Sequence, residues 1–469
     1  MRALLTAILV LAGTAVPAGT PTTSAAIAWH DCHTEHTPAR LECATVTVPL
    51  DWSRPGGPQI DIAVDRLRAT DPARRIGVLL TNPGGPGGSG VQDVAAEGAG
   101  PGPEFDVLHE RFDIIGFDPR GVGSSTAVRC PVPLKDRSVS SFPTTQTGYH
   151  RLLEANRRAG TECARRTGPL IRHVDTISAA RDIETIRVAL GERTVSLLGG
   201  SYGTELFSAY IALHPRHVRA AVLDGAVDHT RSTWRAALDE AASTEDAFHR
   251  FATWCARTTG CALHGRNVPA AFRALTARAD RGEVAGRDGR RISGETVTKA
   301  MYVRLYQRAE WPELARVLAK ATAARPDVRP LTDMVIAADP EEAAYISVGC
   351  HDFPSEVKNL PDLRAKARLL RAAAPLTWRY SEMWTWATTC LAWPVAAANP
   401  PTPQFVHGSP PVLVANGTHD PATPLSWARS LTAQFDHARL YVYDGDGHTV
   451  TPHSGAGRRA EADHLVHPH

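Results

Sequence analysis

Leu198-Gly199-Gly200-Ser201-Tyr202-Gly203-Thr204 stands between two unlike stretches of chain. Before it, Val195 to Leu198 is a short apolar run that reads as a buried strand. After it, Leu206, Ala209, Tyr210 and Leu213 recur at helical spacing. A strand that turns this sharply into a helix forces the residue at the turn into a strained conformation. Glycine two residues to either side removes the side chains that would clash there. The pattern Gly199-x-Ser201-x-Gly203 therefore predicts a nucleophile elbow, with a serine hydroxyl at the C-terminal edge of a sheet and over a helix N-terminus. A tight turn without chemistry is the alternative. The strand before and the helix after favour the nucleophile.

Working outward, strands alternate with helices. Leu41 to Leu50, Gln59 to Leu67, Arg75 to Thr81, Phe112 to Phe117, Val195 to Leu198, Val218 to Leu223, Pro411 to Ala415 and Arg439 to Tyr443 read as strands. Ile60, Ile62 and Val64 alternate with polar or small residues, the half-buried pattern of an antiparallel strand. Later runs are continuously apolar, which suits a parallel sheet covered on both faces. A helix is expected over Thr176 to Leu190, capped by Asp175. From about His229 to Pro394 helical patterns dominate: Trp234 to Trp254, Ala270 to Ala279, Thr296 to Tyr306, Trp311 to Ala323 and Leu363 to Ala373. Seven of the ten tryptophans fall there, which suggests an inserted helical cap with an aromatic lining. The expected division is 1–26 leader, 27–228 first part of an α/β core, 229–395 cap and 396–469 second part of the core.

The 469 residues carry a formal net charge of +2 with no long run of one sign, so there is no electrostatic footprint for nucleic acid. Arg2, the apolar run Ala3 to Val16 and the small residues ending Ser24-Ala25-Ala26 read as a cleaved export signal, with a membrane anchor as the alternative. A secreted, monomeric protein that leaves the membrane after signal removal is expected. Eight cysteines in an exported chain suggest disulfides. Closeness along the chain favours Cys32–Cys43, Cys130–Cys163, Cys255–Cys261 and Cys350–Cys390. No C-x-x-C pair is present, and no metal or cofactor is expected.

A serine hydroxyl needs a base, and the base needs an orienting acid. His448 is the expected base, in the glycine-rich loop Asp444-Gly445-Asp446-Gly447-His448 after the last strand; His453 is its competitor. Asp420, at the end of the penultimate strand, is the expected acid, with Asp224 and Asp228 as runners-up. An oxyanion hole needs backbone N–H groups. Tyr202 supplies one, and the loop Asn82-Pro83-Gly84-Gly85-Pro86-Gly87-Gly88-Ser89-Gly90 supplies the other, at Gly85. A phosphate-binding loop is disfavoured because no Gly-Lys-Ser/Thr follows.

These segments, with Asp118-Pro119-Arg120-Gly121, Asp420-Pro421-Ala422-Thr423-Pro424 and Gly447-His448, occur in an order that resembles secreted actinobacterial tripeptidyl aminopeptidases. Val348-Gly349-Cys350-His351-Asp352 and Cys390-Leu391-Ala392-Trp393-Pro394 resemble late cap segments of the same family. The family belongs to the proline iminopeptidase branch of the α/β-hydrolase superfamily. The resemblance implies a mostly parallel eight-stranded sheet with an inserted, mainly helical cap. It further implies release of short peptides, tripeptides above all, or single residues from a free N-terminus. Cap carboxylates would bind the substrate ammonium, with Asp352 the first candidate and Glu205 and Glu356 the others. Three positions depart from the family pattern. His351 replaces an asparagine, Thr449 follows His448 where glycine is common, and the tail from Pro452 to His469 lacks a closing cysteine. A secreted esterase or lipase acting on a small acyl substrate is the alternative activity, and a non-catalytic binding protein the alternative class.

Overall fold

A computed structural model describes residues 27–286, 289–336 and 341–468. The leader expected over 1–26 lies outside the described residues. The strands are β1 (His30–Asp31), β2 (Leu41–Pro49), β3 (Gln59–Leu67), β4 (Gly77–Asn82), β5 (Phe112–Phe117), β6 (Val195–Gly200), β7 (Val218–Asp224), β8 (Val412–His419) and β9 (Ala438–Asp446). They form one sheet in the order β1-β2-β3-β5-β4-β6-β7-β8-β9. The first three strands and the β3–β5 pair are antiparallel, and every other pair is parallel. The sheet has nine strands where eight were expected. The extra one, β1, pairs only His30 with Cys43 and Asp31 with Glu42, too short a stretch to carry a periodic signal. The disulfide Cys32–Cys43 ties it to β2.

The apolar runs of the central strands divide by period two between the sheet's faces. Leu80, Ile115, Leu197 and Leu223 enter the larger core, while Leu79, Ile114 and Val222 enter a second core on the opposite face. Helix Thr176–Ala189 covers the first face, and helix Gly455–Val466 the second. Chain order reverses between β4 and β6, since β5 lies outside β4 and β6 returns to its other side. In such sheets the crevice beyond the strand ends at this switch point is where ligands bind. Here it holds the glycine loop after β4 and the elbow after β6.

Between β7 and β8 the cap comprises helices Thr233–Arg257, Val268–Asp280, Gly294–Leu305, Trp311–Ala321, Arg329–Ile336, Glu342–Asp352, Leu360–Ala373 and Glu382–Thr389. Phe248, Phe251, Phe272 and Trp311 form a separate cap core. Trp384, Trp386 and Ile346 instead continue the core of the sheet. A 22-residue helix, Gln146–Thr167, had no sequence assignment. Its runs of Arg and Glu obscure a narrow apolar stripe. Asn156 on its buried face donates to the carbonyls of Thr388 and Leu391, fastening it to the end of the cap. The remaining disulfides are Cys130–Cys163, Cys255–Cys261 and Cys350–Cys390. No helix among the described residues is long and apolar enough to cross a membrane.

Candidate active site

Ser201 caps helix Tyr202–Leu213 with φ 53° and ψ −124°, the strained turn expected of an elbow. Its N–H donates to the Asp224 carbonyl at 2.8 Å, and Thr204 Oγ1 donates back to its carbonyl at 2.7 Å. The flanking glycines answer to close backbone approach. A Cβ on Gly199 would come 2.7 Å from the Gly203 carbonyl oxygen, and one on Gly203 would come 2.6 Å from that of Asn82. Elbow and glycine loop are thus in backbone contact.

That contact positions the expected oxyanion donors. Gly84 has φ 102°, and a Cβ there would lie 3.0 Å from the Tyr202 nitrogen. The loop passes over the elbow with no room for a side chain. Tyr202 is the first residue of its helix, where N–H groups have no partner within the helix. Gly85 follows at φ 108°. The loop's exit is anchored by Asp118. Its carboxylate accepts from Ser89 Oγ at 2.6 Å, Val91 N at 3.2 Å and Ser124 N at 2.7 Å. Arg120 of the same motif is buried, bridging Asp182 and the carbonyls of Pro49, Leu50 and His173. The Asp-Pro-Arg-Gly motif is therefore a brace for the site.

His448 and Asp420 meet. His448 Nδ1 is 2.9 Å from both Asp420 carboxylate oxygens. Asp420 also accepts from the N–H groups of Ala422, Thr423 and Thr449 and from Thr423 Oγ1. Burial would raise this carboxyl, but the His448 charge and these hydrogen bonds hold it below its usual range. Burial would likewise depress His448. Asp420, then Glu382 and Asp224, outweigh that and raise the imidazole above its usual value. The ring stands at the end of β7: a Cβ on Gly225, next to the residue that accepts from Ser201, would be 3.3 Å from His448 Cε1.

The competing residues have other partners. Asp224 accepts from Val450 N and Thr451 N, holding the segment after His448. Burial pushes its carboxyl up to about 6. Asp228 accepts from Thr230 and Gln434. His453 Nε2 and the His448 N–H both meet the Tyr306 carbonyl, at 2.9 and 2.8 Å. Tyr306 closes a cap helix, so the cap is in register with the histidine loop. Thr449, where glycine is common, has φ 63°. A left-handed turn at that position explains the preference.

Of the three expected amine ligands, Asp352 and Glu205 lie close together around His229, whose Nε2 meets the Asp352 carbonyl at 2.9 Å, and Glu356 lies apart. Asp352 is fully buried and accepts from Thr176 N at 3.2 Å, Thr176 Oγ1 at 2.6 Å and Asn399 Nδ2 at 2.9 Å. Burial pushes its carboxyl up to about 7. Thr176 Oγ1 also meets the Tyr202 hydroxyl, so Asp352 supports the elbow's neighbour from behind. Glu205 is buried, raised well above its usual range by burial and Asp352, and lies 3.4 Å from His229 Nε2. Glu356 is exposed and accepts from Trp234 N at 2.7 Å, at the start of a cap helix.

Five acids line the cavity that contains Gly85, namely Asp280, Glu295, Glu341, Glu342 and Glu382, and of these it is Glu382 whose charge helps to raise His448. That cavity, of about 520 Å³, is also lined by Tyr345, Tyr380 and Lys299. Among the described residues no tryptophan lines it, so the expected aromatic lining is tyrosine. The cap tryptophans pack into cores because their bulk contributes more there. Tyr306 donates to Glu382 at 2.9 Å, while Tyr302 donates at 2.8 Å to Glu240, a second buried carboxyl behind it. Burial raises Glu382, and burial plus Glu382 raise Glu240 to about 8. Sequence reading missed Glu382 because Ser381-Glu382 reads as an ordinary helix cap, which it also is. One group elsewhere, Glu184, His214 and His217, brings three ligand atoms within 4.8 Å, but Arg187 and Tyr210 already engage Glu184.

Residues 77–451 match the family model described as the alpha/beta hydrolase fold. The chain is 31% identical over 454 residues to a tripeptidyl aminopeptidase of Streptomyces lividans, covering 91% of this chain and 82% of that protein. It is 32% identical over 458 residues to the serine protease Hip1 of Mycobacterium tuberculosis, covering 90% and 85%. It is 33% identical over 453 residues to the carboxylesterase B of the same species, covering 92% and 86%. With its sheet order, its elbow serine and a family match over most of its length, the chain belongs to the alpha/beta-hydrolase family as a serine-hydrolase-type member.

Proposed function

We propose that this protein is a secreted serine aminopeptidase that releases short peptides, tripeptides foremost, or single residues from a free polypeptide N-terminus. In this scheme His448 takes the proton of Ser201, whose hydroxyl oxygen attacks the peptide carbonyl. The N–H groups of Tyr202 and Gly85 hold the oxyanion. His448, now protonated and stabilised by Asp420, gives its proton to the leaving amine, and water then resolves the acyl-enzyme. The observation that carries the amine specificity is Glu382, a carboxyl that lines the cavity containing Gly85 and whose charge also reaches His448. A bound ammonium would favour its ionised form, recovering what burial opposes. Secretion is supported by the leader-like first 26 residues and by four disulfides among the described residues.

The decisive measurement compares one peptide–fluorophore amide with a free and with an acetylated N-terminus. The free form is expected to be cleaved far faster, with Glu382→Gln raising its KM. Equal cleavage of both would remove the aminopeptidase assignment and leave the esterase, the second reading, which the 33% identity to a carboxylesterase favours.

A further inference from the structure

The cavity beside Gly85 continues outward. It shares Lys135, Ser138, Asp280, Ser293 and Thr296 with a groove of about 1550 Å³. That is larger than a pocket for a small ligand, roughly 300–1,000 Å³, and suits a chain. One wall is the exposed face of helix Gln146–Thr167, which carries Arg157 and Arg158. The facing wall, after helix Val268–Asp280, carries Arg281 and Arg291. Seven lining residues are Lys or Arg and four are Asp or Glu, in a chain whose basic and acidic residues number 51 and 49. The excess is therefore local. Ion pairs form on both signs, Glu162 with Arg165 and Arg166, Asp280 with Arg379, Lys135 with Glu295 and Arg281 with Glu283, while Arg157 and Arg158 present the positive charge of the exposed helix face.

We infer that this groove receives the polypeptide beyond the scissile bond and selects substrates that are acidic there. The inference rests on the aminopeptidase assignment. With the N-terminus lodged against Glu382 and the reacting carbonyl at Gly85, the rest of the chain has to leave the cavity, and the groove is continuous with it. Its positive walls favour carboxylates and disfavour lysines along that path.

The test uses the intact protein and three amides with the same free N-terminal segment. One ends in a small chromophore, one continues into an Asp/Glu-rich segment and one into a Lys-rich segment. At low salt the acidic extension is expected to exceed the basic one in kcat/KM by about tenfold, as a few exposed ion pairs provide. The ratio should fall toward one at roughly 1 M salt, and Arg157→Glu/Arg158→Glu should lower or invert it. Cleavage of the short amide with equal rates on both extensions would overturn the groove and leave the aminopeptidase standing. No cleavage of the short amide, with ester cleavage intact, would remove the aminopeptidase assignment and the groove with it.

Discussion

At the scale of single residues, the site turns on which acid serves His448. Asp420 meets His448 Nδ1 with both carboxylate oxygens, whereas Asp224 is occupied by the backbone N–H groups of Val450 and Thr451. Asp420→Asn is therefore expected to lower turnover by about 10⁴ with folding intact, because the imidazole loses its orienting partner. Asp224→Asn is expected to destabilise the fold by about 1–3 kcal/mol, since an amide NH2 would face backbone N–H donors. Urea titration beside steady-state kinetics separates the two, and near-normal rates in Asp420→Asn would return the role to Asp224. The raised His448 also sets a pH limit. As the proposed base, His448 would act only when neutral, so kcat/KM should climb with pH and reach half its plateau above 6.5. A half-point below that value would mean that Asp420 does not face the imidazole in the free enzyme.

At the scale of elements, two kinds of contact hold the reactive loops. The elbow and the glycine loop meet through backbone, so Gly203→Ala should push the Asn82 carbonyl away and damage oxyanion binding. The loss of one donor is worth about 3 kcal/mol of transition-state stabilisation, and kcat should fall more than KM rises. The cap meets the reactive loops through backbone, as from His448 N–H to the Tyr306 carbonyl, and through side chains, and a crosslink ties its own helices together. Ser243 donates to the Asp420 carbonyl and Thr244 to that of Pro421. The disulfide Cys350–Cys390 joins the end of helix Glu342–Asp352 to the cap's last helix. Replacing both cysteines by alanine should lower stability by about 2–4 kcal/mol. An unchanged denaturation midpoint would show that the packing of Trp384 and Trp386 suffices to hold these helices. The tail without a cysteine is held by other means, with Arg219 donating to the carbonyls of Leu465 and Val466.

At the scale of the whole molecule, buried carboxyls set the dependence of stability on pH. Burial raises Asp65 to about 8, Asp352 to about 7 and Asp224 to about 6; burial with Glu382 raises Glu240 to about 8. Each holds its proton in the folded chain at a pH where the unfolded chain has released it. Their contribution is complete below the unfolded values near 4 and is lost as pH rises through about 6 to 8. Glu184 works oppositely: burial is outweighed by Arg187 and Tyr210, which lower it to about 2, and its support fades as pH falls. Unfolding midpoints should therefore peak on the acid side of neutrality and decline by about pH 9. A midpoint still rising there would mean that these carboxyls are ionised in the fold.

The sequence by itself determined what local physics can write. Alternation marked the strand Gln59–Leu67, short continuous apolar runs marked the parallel strands, and the helical period marked five cap helices to within three residues at either end. A serine between spaced glycines marked the elbow. The proximity of Asp420 and His448 was legible because each follows the end of a neighbouring parallel strand, which brings the two loops to the same edge of the sheet. Tertiary structure alone decided which carboxyls line the cavity and which of them bears on His448, because that depends on the packing of the cap over the sheet. Asp352 lies as close in sequence to the cap motif as any residue, yet its helix turns it inward onto Thr176. Glu382 resembles a common helix cap, yet Tyr306 donates to it and the same tyrosine's carbonyl holds the His448 N–H. Burial and charge at a site shared by distant segments are sums over neighbours, and those neighbours exist only once the chain has folded.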